Sequence, residues 1–307
     1  MSKKILVIGS TNVDFLIRSE KIPVPGETVT GGVFMQNFGG KGANQAVGAA
    51  RAGGSVTFVT CLGDDLFAGE MIRSFNNDGM DTRFVFRDPH TATGSALIMI
   101  DSNGRNSISV APGANFKLSS RHIDQVSDQI RESEIVVLQM EIPVETTTYA
   151  IARARKSGKR VLFNLAPAMP FDLSILQGVH TFVVNEVEAA MVTGLTVETD
   201  EEIKRAGKVL LSLGPELAII TLGEKGSFLV SANQQLFIPA FQVRAIDTTA
   251  AGDIFCGTLA VGLTEGMPPS GAVRFAAAAS AISVTRMGAQ PSAPTRKEIN
   301  DFLATAT

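Results

Sequence analysis

Residues 135–163 read IVVLQMEIPVETTTYAIARARKSGKRVLF. The run Ile135–Leu138 is apolar and β-branched without alternation, which is the mark of a strand buried on both faces. Thr146–Lys156 has a helical pattern, and Val161–Phe163 opens a second buried strand. Strand, helix, strand is the unit that joins two parallel strands. The alternation continues outward in both directions. Further strand-like runs are Ile5–Ile8, Val56–Thr60, Phe182–Val184 and Leu217–Thr221, and helical segments are Ala43–Ala52, Phe67–Asp78, Ser120–Ile130 and Glu201–Leu211. The expected fold is therefore α/β: a doubly wound, mostly parallel sheet with helices on both faces.

Two regions break the pattern. Thr28–Phe38 and Ser95–Val110 read as antiparallel strand pairs, the second turning at Asp101-Ser102-Asn103-Gly104. A small projecting sheet, a lid with strands within about 10–38 and 92–111, accounts for both. No repeat, low-complexity tract or linker interrupts the chain, so residues 1–307 are expected to form one domain.

Composition narrows the function classes. A net charge of −3 argues against a nucleic-acid or acidic-membrane partner held by a broad basic surface. Cys61 and Cys256 are far apart and in apolar surroundings, so two buried free thiols in a reducing compartment are expected. The apolar run after Met1-Ser2-Lys3-Lys4 is too short for a secretory signal, and none reaches the roughly 20 residues of a membrane span. His90, His122 and His180 are scattered, without the spacing of a zinc site. The chain is expected to be soluble and cytoplasmic.

Ligands of open α/β sheets bind beyond the carboxyl ends of the strands. Five such ends are polar here: Gly9-Ser10-Thr11-Asn12-Val13-Asp14, Gln139-Met140-Glu141, Asn164, Asn185-Glu186 and Thr221-Leu222-Gly223. Together they suggest a polar crevice. Gly39-Gly40-Lys41-Gly42-Ala43-Asn44-Gln45-Ala46 is not a P-loop: Gly42 stands where Ser or Thr must follow the lysine, and Met35 where a glycine is required. It is either a structural turn or a loop that brings backbone, Lys41 and Asn44 close to a ligand. In Asp247-Thr248-Thr249-Ala250-Ala251-Gly252-Asp253-Ile254-Phe255-Cys256-Gly257, small residues run into a helical segment, where exposed N–H groups make an anion site. Asp253 beside them is either a plain capping aspartate or a proton acceptor. A carboxylate at a helix start is expected to have a low resting pKa.

With these motifs the chain resembles the ribokinase family of carbohydrate kinases. Gly39–Ala46 is followed at family spacing by Gly53 and Gly63, and Asp247–Gly257 is the second signature. Further matches are Gly9–Asp14, Pro25-Gly26-Glu27-Thr28, Asn185-Glu186-Val187-Glu188 and Gly288-Ala289-Gln290-Pro291-Ser292, so the likeness covers essentially the whole length. It implies an ATP-dependent kinase acting on the primary 5-hydroxyl of a pentose, with D-ribose first. By the same resemblance, Asn12, Asp14, Gly40, Lys41, Asn44 and Glu141 would grip the sugar. Asp253 would be the base, and Ala250, Ala251 and Gly252 the anion hole. Asn185, Thr221, Gly223, Gly226 and Gly252 would bind ATP, with Glu188 holding Mg2+ through water. Asp247, Thr249, Ser283, Arg286, Gly288 and Ser292 would hold an activating monovalent cation, K+. Lids of two subunits would pack into a homodimer. Ala277 and Met287 depart from residues frequent in the family, His or Asn near the adenine and Lys between cation ligands. Deoxyribokinase is the nearest rival, and the polar Asn12 weighs against it. Kinases for other sugars or nucleosides and a non-catalytic sugar-binding regulator rank lower. The missing Gly-x-Gly-x-x-Gly after the first strand weighs against a dehydrogenase.

Overall fold

The computed structural model describes residues 4–306. Met1 to Lys3 and Thr307, the ends of the expected domain, lie outside the described residues. In chain order the strands are β1 (Lys4–Ile8), β2 (Asn12–Arg18), β3 (Val33–Gly39), β4 (Ser55–Gly63), β5 (Asp81–Asp88), β6 (Gly94–Ile100), β7 (Asn106–Ala111), β8 (Ile135–Leu138), β9 (Arg160–Asn164), β10 (Thr181–Asn185), β11 (Leu217–Thr221), β12 (Ser227–Ser231) and β13 (Gln235–Ile238). The helices are α1 (Lys41–Arg51), α2 (Leu66–Asn77), α3 (Ser120–Gln125), α4 (Ser127–Glu132), α5 (Val144–Lys156), α6 (Glu186–Thr193), α7 (Asp200–Ser212), α8 (Ala251–Glu265), α9 (Pro269–Ser283) and α10 (Arg296–Thr305).

The main sheet has nine strands in the order β13-β12-β11-β10-β9-β8-β1-β4-β5. From β11 to β5 all neighbours are parallel, while β12 and β13 add an antiparallel edge. β8 is buried throughout, as the absence of alternation required. Side chains of the two sheet faces enter separate cores. One packs against α1, α8 and α9 through residues such as Val47, Leu259 and Phe275. The other packs against α3 to α7 through Ile123, Ile151, Ala189 and Leu210. This is the doubly wound architecture expected.

Three local expectations change. Thr28–Phe38 is not a strand pair: it supplies only β3, whose antiparallel partner is β2. β2 in turn lies parallel to β6, which closes a four-stranded sheet β3-β2-β6-β7. The second pair does turn at Asp101–Gly104, where the Gly104 N–H reaches the Asp101 carbonyl. The expected helix Ser120–Ile130 breaks at Val126 (φ −103°, ψ 18°), where Ser127 donates its hydroxyl to the Asp124 carbonyl. β5, β12 and β13 had no distinct sequence signal, because mixed edge strands such as Asp81–Asp88 lack a continuous apolar run. Cys61 and Cys256 are both buried and free. Among the described residues no helix is long and apolar enough to cross a membrane.

Candidate active site

The parallel strands end at a common edge, and two adjoining cavities open there. The smaller, of 240 Å³, is lined by Lys41, Asn164, Asn185, Glu188, Gly252 and Asp253, among others. The larger, of 490 Å³, has Gly223, Gly226, Phe241, Gln242 and Ala277 in its walls. Thr221, Thr248, Ala251 and Gly252 belong to both. Three of the five polar strand ends, at Asn164, Asn185 and Thr221–Gly223, thus line these cavities, and the start of α8 stands between the two.

The chain enters α8 through Ala250, the one non-glycine among the described residues with a positive φ (60°). Such a conformation costs about 1 kcal/mol or more outside glycine and persists only where surroundings enforce it. The Ala251 N–H donates to the Thr248 carbonyl at 3.2 Å and the Ile254 N–H to Ala250 at 2.9 Å. The N–H groups of Gly252 and Asp253, between them, make no hydrogen bond among the described residues. A Cβ built on Gly252 would meet nothing within 4 Å. Two free donors and the positive end of a 15-residue helix therefore face open space.

Asp253, in the first turn, is 6% exposed. Asn44 Nδ2 donates to its Oδ2 at 3.0 Å and Gln45 Nε2 to its Oδ1 at 3.1 Å. Contrary to the low pKa expected at a helix start, burial pushes its carboxyl above the ordinary value; the Lys41 charge and the two amide donors offset only part of this. Desolvation outweighs the helix end because the side chain is withdrawn from water. Lys41 is held above its usual range chiefly by Asp253, with Glu141 and Glu188 adding to the effect.

On the side of the small sheet, Gly40 (φ 88°) lets the turn after β3 lie against Thr11: a Cβ there would come within 2.7 Å of the Thr11 Cα. At Gly42 it would meet the Gly9 carbonyl carbon at 2.5 Å. These approaches bring α1 to the end of β1. Glu141 Oε2 then accepts from the Ser10 hydroxyl (2.6 Å) and the Lys41 N–H (3.0 Å). Asn12 Oδ1 accepts from Asn115 Nδ2 at 2.8 Å, while its own NH2 makes no hydrogen bond among the described residues. Asp14 is raised to about 7, by burial first and by the Glu141 charge second. Asn44, 6% exposed, leaves Oδ1 buried and unpaired. Asn44 thus bonds Asp253 directly and the Glu141 charge reaches it, with Asp14 near Glu141 and Gly40 against Thr11 and Asn12, whereas Lys41 lines the smaller cavity.

Asn185 caps α6: its side chain accepts from the Glu188 N–H and its own N–H donates to Glu188 Oε2, both at 2.8 Å. Burial raises Glu188 to about 7. Farther out, Asp247 joins two loops, accepting from Thr249 N–H (2.9 Å) and Oγ1 (2.6 Å) and from Gly288 N–H (2.8 Å). Burial opposes its ionisation, but these hydrogen bonds win and hold the carboxyl below its ordinary value. The bond to Gly288 brings Asp247 and Thr249 to the segment carrying Ser283, Arg286 and Ser292. The Arg286 side chain is cationic and paired with Glu298 at 2.5 Å, so only its backbone oxygen suits a cation.

Residues 2–296 match the family model described as pfkB family carbohydrate kinase. The chain belongs to the pfkB family of carbohydrate kinases. As a pfkB kinase it is an ATP-dependent sugar kinase. It is 40% identical to the ribokinase of Haemophilus influenzae over 99% of both chains. It is 38% identical to the deoxyribokinase of Salmonella typhi over 98% of both. The structure of Arabidopsis thaliana ribokinase complexed with ribose and ATP superposes with a TM-score of 0.93 at 31% identity, covering 100% of each chain.

This pfkB kinase also contains site residues that the sequence reading missed: Asn115, which holds Asn12, and Gln45, which holds Asp253. Gln45 lies inside the glycine-rich motif, one position past Asn44, and an amide in that largely small-residue helix start was the available signal. Asn115 sits in a turn of its own, so nothing local singles it out.

Proposed function

We propose that this enzyme phosphorylates the primary 5-hydroxyl of D-ribose with ATP, giving ribose 5-phosphate, with Asp253 as general base. The observation that carries the reading is the buried Asp253 carboxylate directly beside the unbonded N–H groups at the start of α8. Phosphoryl transfer needs that pairing of a proton acceptor with fixed donors for the migrating charge. The sugar O–H gives its proton to Asp253 as the oxygen attacks the γ-phosphorus. The bond from that phosphorus to the β-bridging oxygen breaks and ADP leaves. The raised pKa of Asp253 makes it a better acceptor than a surface carboxylate, and general-base help of this type contributes roughly 10²–10⁴ in rate. Gly252, with Ala250 and Ala251 shaping the turn, supplies the anion hole.

Asn12, Asp14, Gly40, Lys41, Asn44 and Glu141 bind the sugar in this reading. The unpaired Asn44 Oδ1 and the free Asn12 NH2 are polar groups that sugar hydroxyls satisfy. Asn185, Thr221, Gly223, Gly226 and Gly252 bind the nucleotide. Glu188 fits Mg2+: one carboxylate beside a phosphate cavity is the usual protein share of such a site. When bound, Mg2+ neutralises charge on the phosphate oxygens. Asp247, Thr249, Ser283, Arg286, Gly288 and Ser292 fit K+ as an oxygen-only set on two joined loops. A cation there steadies the loop that precedes the anion hole.

We read the chain as one domain whose small sheet is a lid over the sugar. The lid leaves Ile17, Val33, Phe34, Leu97, Ile108 and Val110 exposed, an apolar area suited to pairing with a second lid in a homodimer. We place the enzyme in the cytoplasm, where its two thiols stay reduced and ATP is available.

Deoxyribose is the second reading, favoured by the deoxyribokinase relative. The Asn12 amide opposes it, because a sugar lacking a hydroxyl partner leaves a buried donor unpaired. The deciding experiment assays ribose, deoxyribose, fructose and nucleosides with Mg–ATP. Ribose is expected to have the highest kcat/KM, and a higher value for deoxyribose overturns the assignment.

A further inference from the structure

A buried chain of amides ends on Asp253. Gln139, just past β8 and 1% exposed, donates Nε2 to Gln45 Oε1 at 2.7 Å. That bond commits the Gln45 oxygen, so its NH2 turns the other way. There it donates to Asp253 Oδ1 and Asn164 Oδ1, each at 3.1 Å. Asn164 is anchored in turn, donating to the Val183 carbonyl at 3.2 Å. Gln45 is fully buried and lines neither cavity. An apolar side chain would fill that place at lower desolvation cost, so the amide is retained for what it holds.

We infer that Gln45, oriented by Gln139, is a positioning residue for the catalytic base: by holding Oδ1 while Asn44 holds Oδ2, it fixes the carboxylate plane. This deepens the reading of Asp253 as base and rests on it. Lys41 from α1 favours the ionised form, while Glu141, Glu188 on α6 and the Cys256 thiol on α8 face the same carboxylate. The amide donors act with Lys41 against burial and so favour the ionised carboxylate.

Gln45→Met removes the donor at nearly constant shape, and Gln139→Met frees the Gln45 amide without touching Asp253. In both, the acid limb of the kcat profile at saturating sugar is expected to move up by about 1 pH unit. kcat should fall about tenfold, with the sugar KM within twofold. Gln139→Met, being the more remote change, should show the smaller effects. A purely structural role would lower the melting temperature and leave the acid limb in place, and that result overturns the inference. Asp253→Asn, measured alongside, separates the two readings. If it retains turnover, the base assignment itself falls; if it is inactive while both methionine variants keep the parental pH profile, only the positioning role falls.

Discussion

Gly252→Ala separates the anion hole from the fold, because the two demands on that residue conflict. An added Cβ meets no atom within 4 Å, so the folded chain accommodates it without displacement. In the first turn of α8, alanine gains at most about 1 kcal/mol over glycine in helix propensity. At about 2.1 cal/mol/K per residue, the 307 residues unfold with an entropy of about 0.6 kcal/mol/K. The melting temperature should therefore rise by no more than about 1.5 °C. Catalysis should move the other way. Gly252 lines both cavities and carries one of the two unbonded N–H groups, so the new methyl adds bulk where a phosphate would approach that donor. Blocking a donor of this kind typically lowers turnover 10²–10³-fold. Thermal unfolding and an ADP-release assay at saturating sugar measure both quantities on one preparation. A variant that melts within 1.5 °C of the parent and keeps kcat and the ATP KM within twofold would falsify the proposed phosphate position.

Gly257→Ala should behave oppositely: its Cβ would lie 2.2 Å from the Gln45 carbonyl oxygen, so α8 must part from α1. A loss of about 1–3 kcal/mol or more is expected in denaturant unfolding, and parental stability would refute the tight contact. Sugar affinity should rise with pH through about 7, because the sugar prefers ionised Asp14 and binding below that pH must first expel its proton. Measured sugar KM should climb up to tenfold per unit below pH 7, and Asp14→Asn, already weak, should flatten the dependence; a flat parental profile contradicts the assignment. Replacing K+ with Li+ should lower kcat in the parent and change little in Asp247→Ala, and equal activity in both ions refutes the cation site. Leu97→Glu, on the exposed sheet, should halve the mass found by light scattering, whereas a parent that is already monomeric rules out the lid dimer.

Much of this protein is legible one segment at a time. Ile135–Leu138 and Leu217–Thr221 announce themselves as interior strands because a strand covered on both faces excludes polar side chains along its whole length. Gly40 and Ala250–Gly252 mark the two turns of the site, since small residues alone permit such close approach or leave helix-end donors uncovered. Local pattern could not, however, assign β3 to its partner: Asn12–Arg18 and Val33–Gly39 are joined by backbone bonds across a long connection, 19–32, whose turns at Pro25-Gly26 and Gly31-Gly32 do not say which strands they join. Nor could it give the acidity of Asp253. Neighbouring residues predict a lowered pKa; the tertiary structure raises it, because α1, 208 positions away in sequence, closes over the carboxylate and removes water. Desolvation and long-range amide contacts depend on which segments meet in space, and only the folded chain decides that.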